Sequence, residues 1–137
     1  MSLCRSVVVD SRPTVLVVED EPLIGFSVQE TLEEAGYAAL LTDCALQALH
    51  ELESSADMLS ALVTDIRLGG EGDGWLVARR ARELNPSIPV VYMSGDSAID
   101  HSSQGVPYSI MVQKPFAVIQ VVTAISTLIN KVPPTTS

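Results

Sequence analysis

The sequence predicts a doubly wound α/β domain: a five-stranded parallel sheet in the flavodoxin-like order 2-1-3-4-5, with helices on both faces. Three observations carry this expectation. Short β-branched runs at residues 14–18, 37–41, 58–64, 88–93 and 108–113 alternate with stretches long enough for a helix. Runs such as Val15-Leu16-Val17-Val18 are continuous rather than alternating, as a strand buried on both faces requires. No self-similarity at a spacing of roughly 20 to 50 residues is present, which removes solenoids and propellers. Strict alternation with right-handed crossovers then favours the doubly wound order.

Residues 1–12 read as an N-terminal tail, with Pro13 separating the stray run at residues 7–9 from the first strand. In the first helical stretch Ile24, Val28, Leu32 and Ala35 share a stripe, and Gly36 supplies a stop. The second carries Ala45, Leu49 and Leu52, with Asp43 as the expected cap. Val77, Ala81 and Leu84 line the third, which Asn85-Pro86 ends. The fourth interval, residues 97–105, is short and polar, so only a weak helix is expected there. Pro115 opens a last helix over about residues 116–131, and residues 132–137 read as a C-terminal tail. The domain therefore spans residues 13–131.

A chain of 137 residues, 47% apolar and 18% charged, has the size and the apolar content for one packed core, which excludes a multidomain enzyme. Seventeen acidic against eight basic residues leave a formal charge of −9, so no broad positive surface is available to a phosphate backbone and direct nucleic-acid binding is not expected. No apolar stretch approaches the ~20 residues of a membrane helix, and the region around Cys4 has no signal-like run, so no membrane association and a cytoplasmic location are expected. Cys4 and Cys44 stand far apart without CxxC spacing, and His50 and His101 are isolated, a pattern that fits neither a zinc site nor a disulfide framework.

In a doubly wound sheet ligands bind beyond the carboxyl ends of the strands, at the switch point. The first strand ends in Glu19-Asp20-Glu21, the third in Asp65, the fourth in Ser94-Gly95-Asp96 and the fifth in Lys114-Pro115. If that order holds, Glu19, Asp20 and Asp65 converge, and two carboxylates about 4 Å apart repel by roughly 4 kcal/mol at an effective dielectric near 20. Such a cluster calls for a cation, and hard oxygen donors without nitrogen or sulfur point to Mg²⁺. Each element alone has an ordinary reading: a helix first turn for Glu19-Asp20, a turn for Asp65 and Ser94, a solvated charge for Lys114. Four such coincidences at one edge of one sheet weigh less than a joint site.

The segments VLVVEDEP, VTDIRLGGEGDGW, VVYMSGD and VQKPF resemble the response-regulator receiver domains of two-component signalling, the CheY-like family, over about residues 14–131. The resemblance implies that Asp65 accepts a phosphoryl group from a histidine kinase or histidine phosphotransfer protein. It also implies that Glu19, Asp20, Asp65 and the backbone carbonyl of Arg67 hold Mg²⁺, Glu19 through water, while Ser94 and Lys114 contact the phosphoryl oxygens. The chain would then be no enzyme on other substrates, catalysing only its own phosphorylation and slow dephosphorylation. Three departures from the family pattern stand out. Met111 occupies the position three before Lys114 where many members carry an aromatic switch residue, and Tyr108 lies further back. The loop after Asp65 lacks the common proline and is one residue longer than the commonest form. Arg67 occupies the family's variable position two beyond Asp65, from which it is expected to overhang the phosphoryl group and tune its lifetime.

Other chemistries fit less well. A haloacid-dehalogenase-type hydrolase needs a second Asp two residues after the nucleophile, where Arg67 stands. A flavodoxin needs a phosphate loop after the first strand, where Glu19-Asp20 would repel the phosphate. A receiver-shaped module that signals by contact alone would not require all five chemical residues. The last helix, apolar at Phe116, Val118, Ile119, Val121, Val122, Ile125, Leu128 and Ile129, carries a stripe wider than one sheet-facing side needs. A homodimer or partner contact through that face is therefore expected. With no output domain after Lys131, the chain is expected to work alone or as part of something longer.

Overall fold

The computed structural model describes residues 11–95, 100–114 and 118–130, apart from the side chain of Ser102. The strands are β1 Thr14–Val18, β2 Ala38–Thr42, β3 Ala61–Asp65, β4 Val90–Ser94 and β5 Ser109–Gln113. The helices are α1 Pro22–Glu34, α2 Ala45–Ser55, α3 Gly74–Leu84, α4 His101–Gln104 and α5 Val118–Asn130. All four strand pairings are parallel, in the order β2-β1-β3-β4-β5, as the alternation predicts.

Consecutive strand residues divide between two cores, which is why the strands read as unbroken apolar runs. Leu16, Val18, Leu62, Val90 and Tyr92 face α2 and α3, meeting Ala48, Leu52, Val77 and Ala81. Val15, Val17, Val63, Val91 and Met93 face α1 and α5, meeting Val28, Leu32, Val121 and Ile125. Each fully buried aliphatic side chain contributes about 2 kcal/mol against the entropy of folding.

Three local expectations shift, each for a reason that lies in the backbone. Tyr37 does not begin β2. Gly36, at φ +100°, lets the Gly36 and Tyr37 N–H groups turn back to the Glu33 and Leu32 carbonyls at 3.1 and 3.0 Å, so Tyr37 belongs to the stop of α1. Its hydroxyl meets Ser126 Oγ at 2.8 Å. The third apolar run enters the sheet only at Ala61, because α2 passes into a 3₁₀ turn at Ala56–Met58, and Asn85 Nδ2 pins the Ala56 carbonyl at 3.0 Å. Asp43 does not cap α2: Cys44 stands at the boundary without a side-chain bond, and Gln47 Oε1 accepts from the Asp43 N–H at 3.3 Å. The third helix is capped by Asp73, whose side chain accepts from the Leu76 N–H at 3.0 Å.

The short α4 falls within the expected weak helix. Residues 96–99, the start proposed for the last helix at Pro115 and Phe116, Cys4, residues 1–10 of the N-terminal tail and the C-terminal tail lie outside the described residues. Among those described, no helix is long and apolar enough to cross a membrane, and Cys44 is free.

The buried aromatic group near the sheet's carboxyl edge is on β4 rather than β5. Tyr92 is fully buried, with Trp75 at 4.7 Å and His101 at 5.6 Å between ring centroids, and its hydroxyl accepts from the Val106 N–H at 3.1 Å. Met111, in register with Tyr92, packs against the same core. Tyr108 lies 73% exposed at φ +58°, its carbonyl and that of Pro107 held by Arg82.

Candidate functional site

The carboxyl ends of β1, β3, β4 and β5 bring the predicted acidic residues and the lysine together. Glu19 follows β1 directly and extends its pairing, donating its N–H to the Thr42 carbonyl at 3.0 Å. Its side chain is buried, with Oε2 accepting from the Glu21 N–H at 3.1 Å and Oε1 from Lys114 Nζ at 3.3 Å. Asp65 closes β3 and accepts from the same Nζ at 3.1 Å through Oδ2. The lysine is itself placed by backbone, since its N–H donates to the Ser94 carbonyl at 2.6 Å. Asp20 is exposed, and its Oδ2 accepts from the Gly69 N–H at 3.3 Å.

Glu19, Asp20 and Asp65 can each offer an oxygen within 4.8 Å of the others. Of these, Glu19 and Asp65 share the Lys114 ammonium, and oxygen donors without nitrogen or sulfur suit a small hard divalent cation. The cleft above them is lined by Asp20, Glu21, Asp65, Arg67, Gly95 and Lys114. Ser94 sits at the end of β4 with 1% exposure. Sequence reasoning did not single out Glu21, whose Oε1 comes within 3.8 Å of Lys114 Nζ, or the Gly69 N–H. The first was legible as the third acid of Glu19-Asp20-Glu21; the second is a backbone group with no side-chain signature.

Burial, reinforced by the neighbouring Asp65 charge, pushes the Glu19 carboxyl from its ordinary 4.5 up to about 7. Burial works against the charge on Lys114, but its hydrogen bond to Asp65 and the Asp65 and Glu19 charges outweigh that, and its pKa is raised. A carboxyl raised in the folded state stabilises the fold fully below its unfolded value, and that stabilisation is lost as pH climbs through the folded value. The metal-free protein is therefore expected to lose melting temperature between about pH 4.5 and about pH 7 on account of Glu19. Ligating carboxylates must be ionised, so Mg²⁺ should raise the melting temperature more at pH 8 than at pH 5.5. At a hundredfold excess over Kd the gain is roughly 2.7 kcal/mol, and Asp20→Asn should remove most of it. A thermal melt series over pH and Mg²⁺ checks both; an undiminished response in Asp20→Asn would place the metal elsewhere.

A doubly wound sheet with three carboxylates and a lysine gathered at its switch point defines a CheY-like phosphoacceptor signalling module. The chain belongs to the response regulator receiver domain family, whose model matches residues 15–126. It is similar to a response regulator receiver protein from Sinorhizobium medicae WSM419, with 40% identity, a TM-score of 0.84, and 88% of this chain and 96% of that one covered. The receiver domain of the sensor histidine kinase PA1611 from Pseudomonas aeruginosa PAO1, solved with magnesium coordinated in its active site cleft, shares the fold at 20% identity, with a TM-score of 0.74 and 88% and 100% of the chains covered. The transcriptional activator protein IrlR of Burkholderia pseudomallei (strain 1026b) is 28% identical over 119 residues, covering 85% of this chain and 50% of that protein. The chain thus spans about half the length of that curated relative.

Proposed function

We propose that this domain, residues 13–131 between tails at 1–12 and 132–137, takes a phosphoryl group onto Asp65 from a histidine kinase or histidine phosphotransfer protein and later releases it as phosphate. The observation that carries this reading is Lys114 Nζ, placed 3.1 Å from Asp65 Oδ2 and 3.3 Å from Glu19 Oε1. The ammonium there neutralises Asp65 as it stands and lies where the equatorial oxygens of an arriving phosphoryl group would carry charge.

A carboxylate oxygen of Asp65 forms the new bond to phosphorus as the phosphorus–nitrogen bond of the donor's phosphohistidine breaks, its electron pair leaving on the imidazole nitrogen. Mg²⁺ would be held by Asp20, Asp65 and the Arg67 carbonyl, with Glu19 assisting through water, and would supply charge neutralisation at the phosphoryl oxygens. Lys114 pairs with one of those oxygens and the Ser94 hydroxyl donates to another. Release reverses the geometry: water attacks phosphorus, the acyl phosphate bond breaks, and Asp65 is restored as a carboxylate. The chemistry is confined to the chain's own acceptor, in keeping with a cytoplasmic signalling domain rather than an enzyme with free substrates. Incubation with a small phosphodonor and Mg²⁺, followed by intact mass measurement, tests the reading: one phosphoryl group should be gained, and none after chelation. No gain with Mg²⁺ present would overturn it.

The output surface proposed is the α5 face. Ile119 is 57% exposed there, and Val118, Leu128 and Ile129 are half-buried, leaving apolar area that a second copy of the chain can cover. Light scattering should show self-association that strengthens with a phosphoryl mimic. A strict monomer in both states would leave only contact with another partner, which a charge at Ile119 should abolish.

A further inference from the structure

Of the three carboxylates, two are held by groups the site itself supplies. Glu19 takes bonds from Lys114 Nζ and the Glu21 N–H, and Asp65 from Lys114 Nζ. Asp20 is different: it is open to solvent, and its Oδ2 accepts from the N–H of Gly69, 49 positions away in the loop between β3 and α3. That loop is shaped by Gly70 at φ +83° and Gly72 at φ +88°. An exposed aspartate is otherwise free to turn about both side-chain torsions. A bond to one carboxylate oxygen fixes the side chain and leaves the other oxygen for a cation, and such outer hydrogen bonds are worth about 10- to 100-fold in metal affinity.

We propose that the backbone N–H of Gly69 is a positioning donor that sets Asp20 for cation binding. The inference rests on the receiver reading of the site. It separates two substitutions that look alike. A Cβ at Gly69 would meet Asp20 Oδ2 at 3.6 Å, an ordinary contact, so Gly69→Ala keeps the donor without a clash. Proline has no N–H, so Gly69→Pro removes the donor, while its ring also fixes φ at that position and restricts Leu68 before it.

The test titrates Mg²⁺ into the ¹⁵N-labelled full chain and reads Kd from amide shifts. Gly69→Ala should bind within about twofold of the unaltered chain and Gly69→Pro about 10-fold more weakly. Because Gly69 acts only through Asp20, saturating Mg²⁺ should return the phosphorylation rate of Gly69→Pro to within about twofold of the unaltered chain. Equal or tighter binding by the proline variant overturns the inference, as does an alanine variant that is equally weak. Should Gly69→Pro fail to fold, amide exchange decides. In the metal-free chain the Gly69 amide should exchange several-fold faster in Asp20→Ala, and an unchanged rate overturns the inference. Absence of any Mg²⁺-induced shift in the unaltered chain is a separate result, which overturns the reading of the site together with this inference.

Discussion

An Asp65→Asn protein is expected to gain no phosphoryl group from a small phosphodonor and Mg²⁺, where the unaltered chain gains one. The expectation follows from how the neighbouring carboxylates are occupied. Glu19 is buried, and each of its oxygens already accepts a hydrogen bond. Asp20 is bonded to the Gly69 N–H and stands on the exposed side of the cleft. Asp65 combines an oxygen held by Lys114 with a place in the cleft lining. Asparagine preserves its shape while removing the nucleophilic charge, so the loss should exceed about 100-fold without loss of fold. Intact mass spectrometry reads the first and circular dichroism the second. A full mass gain in Asp65→Asn would move the acceptor to another residue.

Much of this site was legible in the sequence because topology, not side-chain detail, brings it together. Once five buried strands are recognised from their continuous apolar runs, the sheet order forces the residues after β1, β3 and β5 to one edge. Glu19, Asp20, Asp65 and Lys114 meet there accordingly. What was not legible depends on how the backbone closes. Tyr37 has strand character, yet the turn of Gly36 hands its N–H to Leu32. Asp43 is a good capping type, yet Cys44 occupies the boundary. Met111 stands where many family members carry an aromatic, and the structure shows what the sequence pattern does not, that Tyr92 of β4 fills the core beside it.

The same backbone logic makes Gly74 the position where one added methyl group should do most harm. The third helix begins at Gly74, whose N–H donates to the Ile66 carbonyl at 2.8 Å and so fastens the helix to the chain just beyond Asp65. A Cβ there would lie 2.9 Å from both the Asp65 carbonyl carbon and Ile66 Cα and would run into the Asp65 carbonyl oxygen. These are backbone atoms, fixed by the β3–β4 ladder, and cannot swing aside as the tip of a side chain can. Either α3 withdraws from β3, opening the Trp75 and Val77 contacts, or the end of β3 shifts and carries Asp65 with it. Overpacking costs up to about 3 kcal/mol when the surroundings resist, so Gly74→Ala should lower the melting temperature by roughly 10 °C. Phosphorylation at saturating Mg²⁺ should slow as well. Gly95→Ala, where a Cβ meets nothing within 4 Å, serves as the stability control and should stay within about 1 kcal/mol of the unaltered chain. A Gly74→Ala protein that melts within about 2 °C of the unaltered chain would show that α3 is not seated against the acceptor strand as closely as this geometry requires.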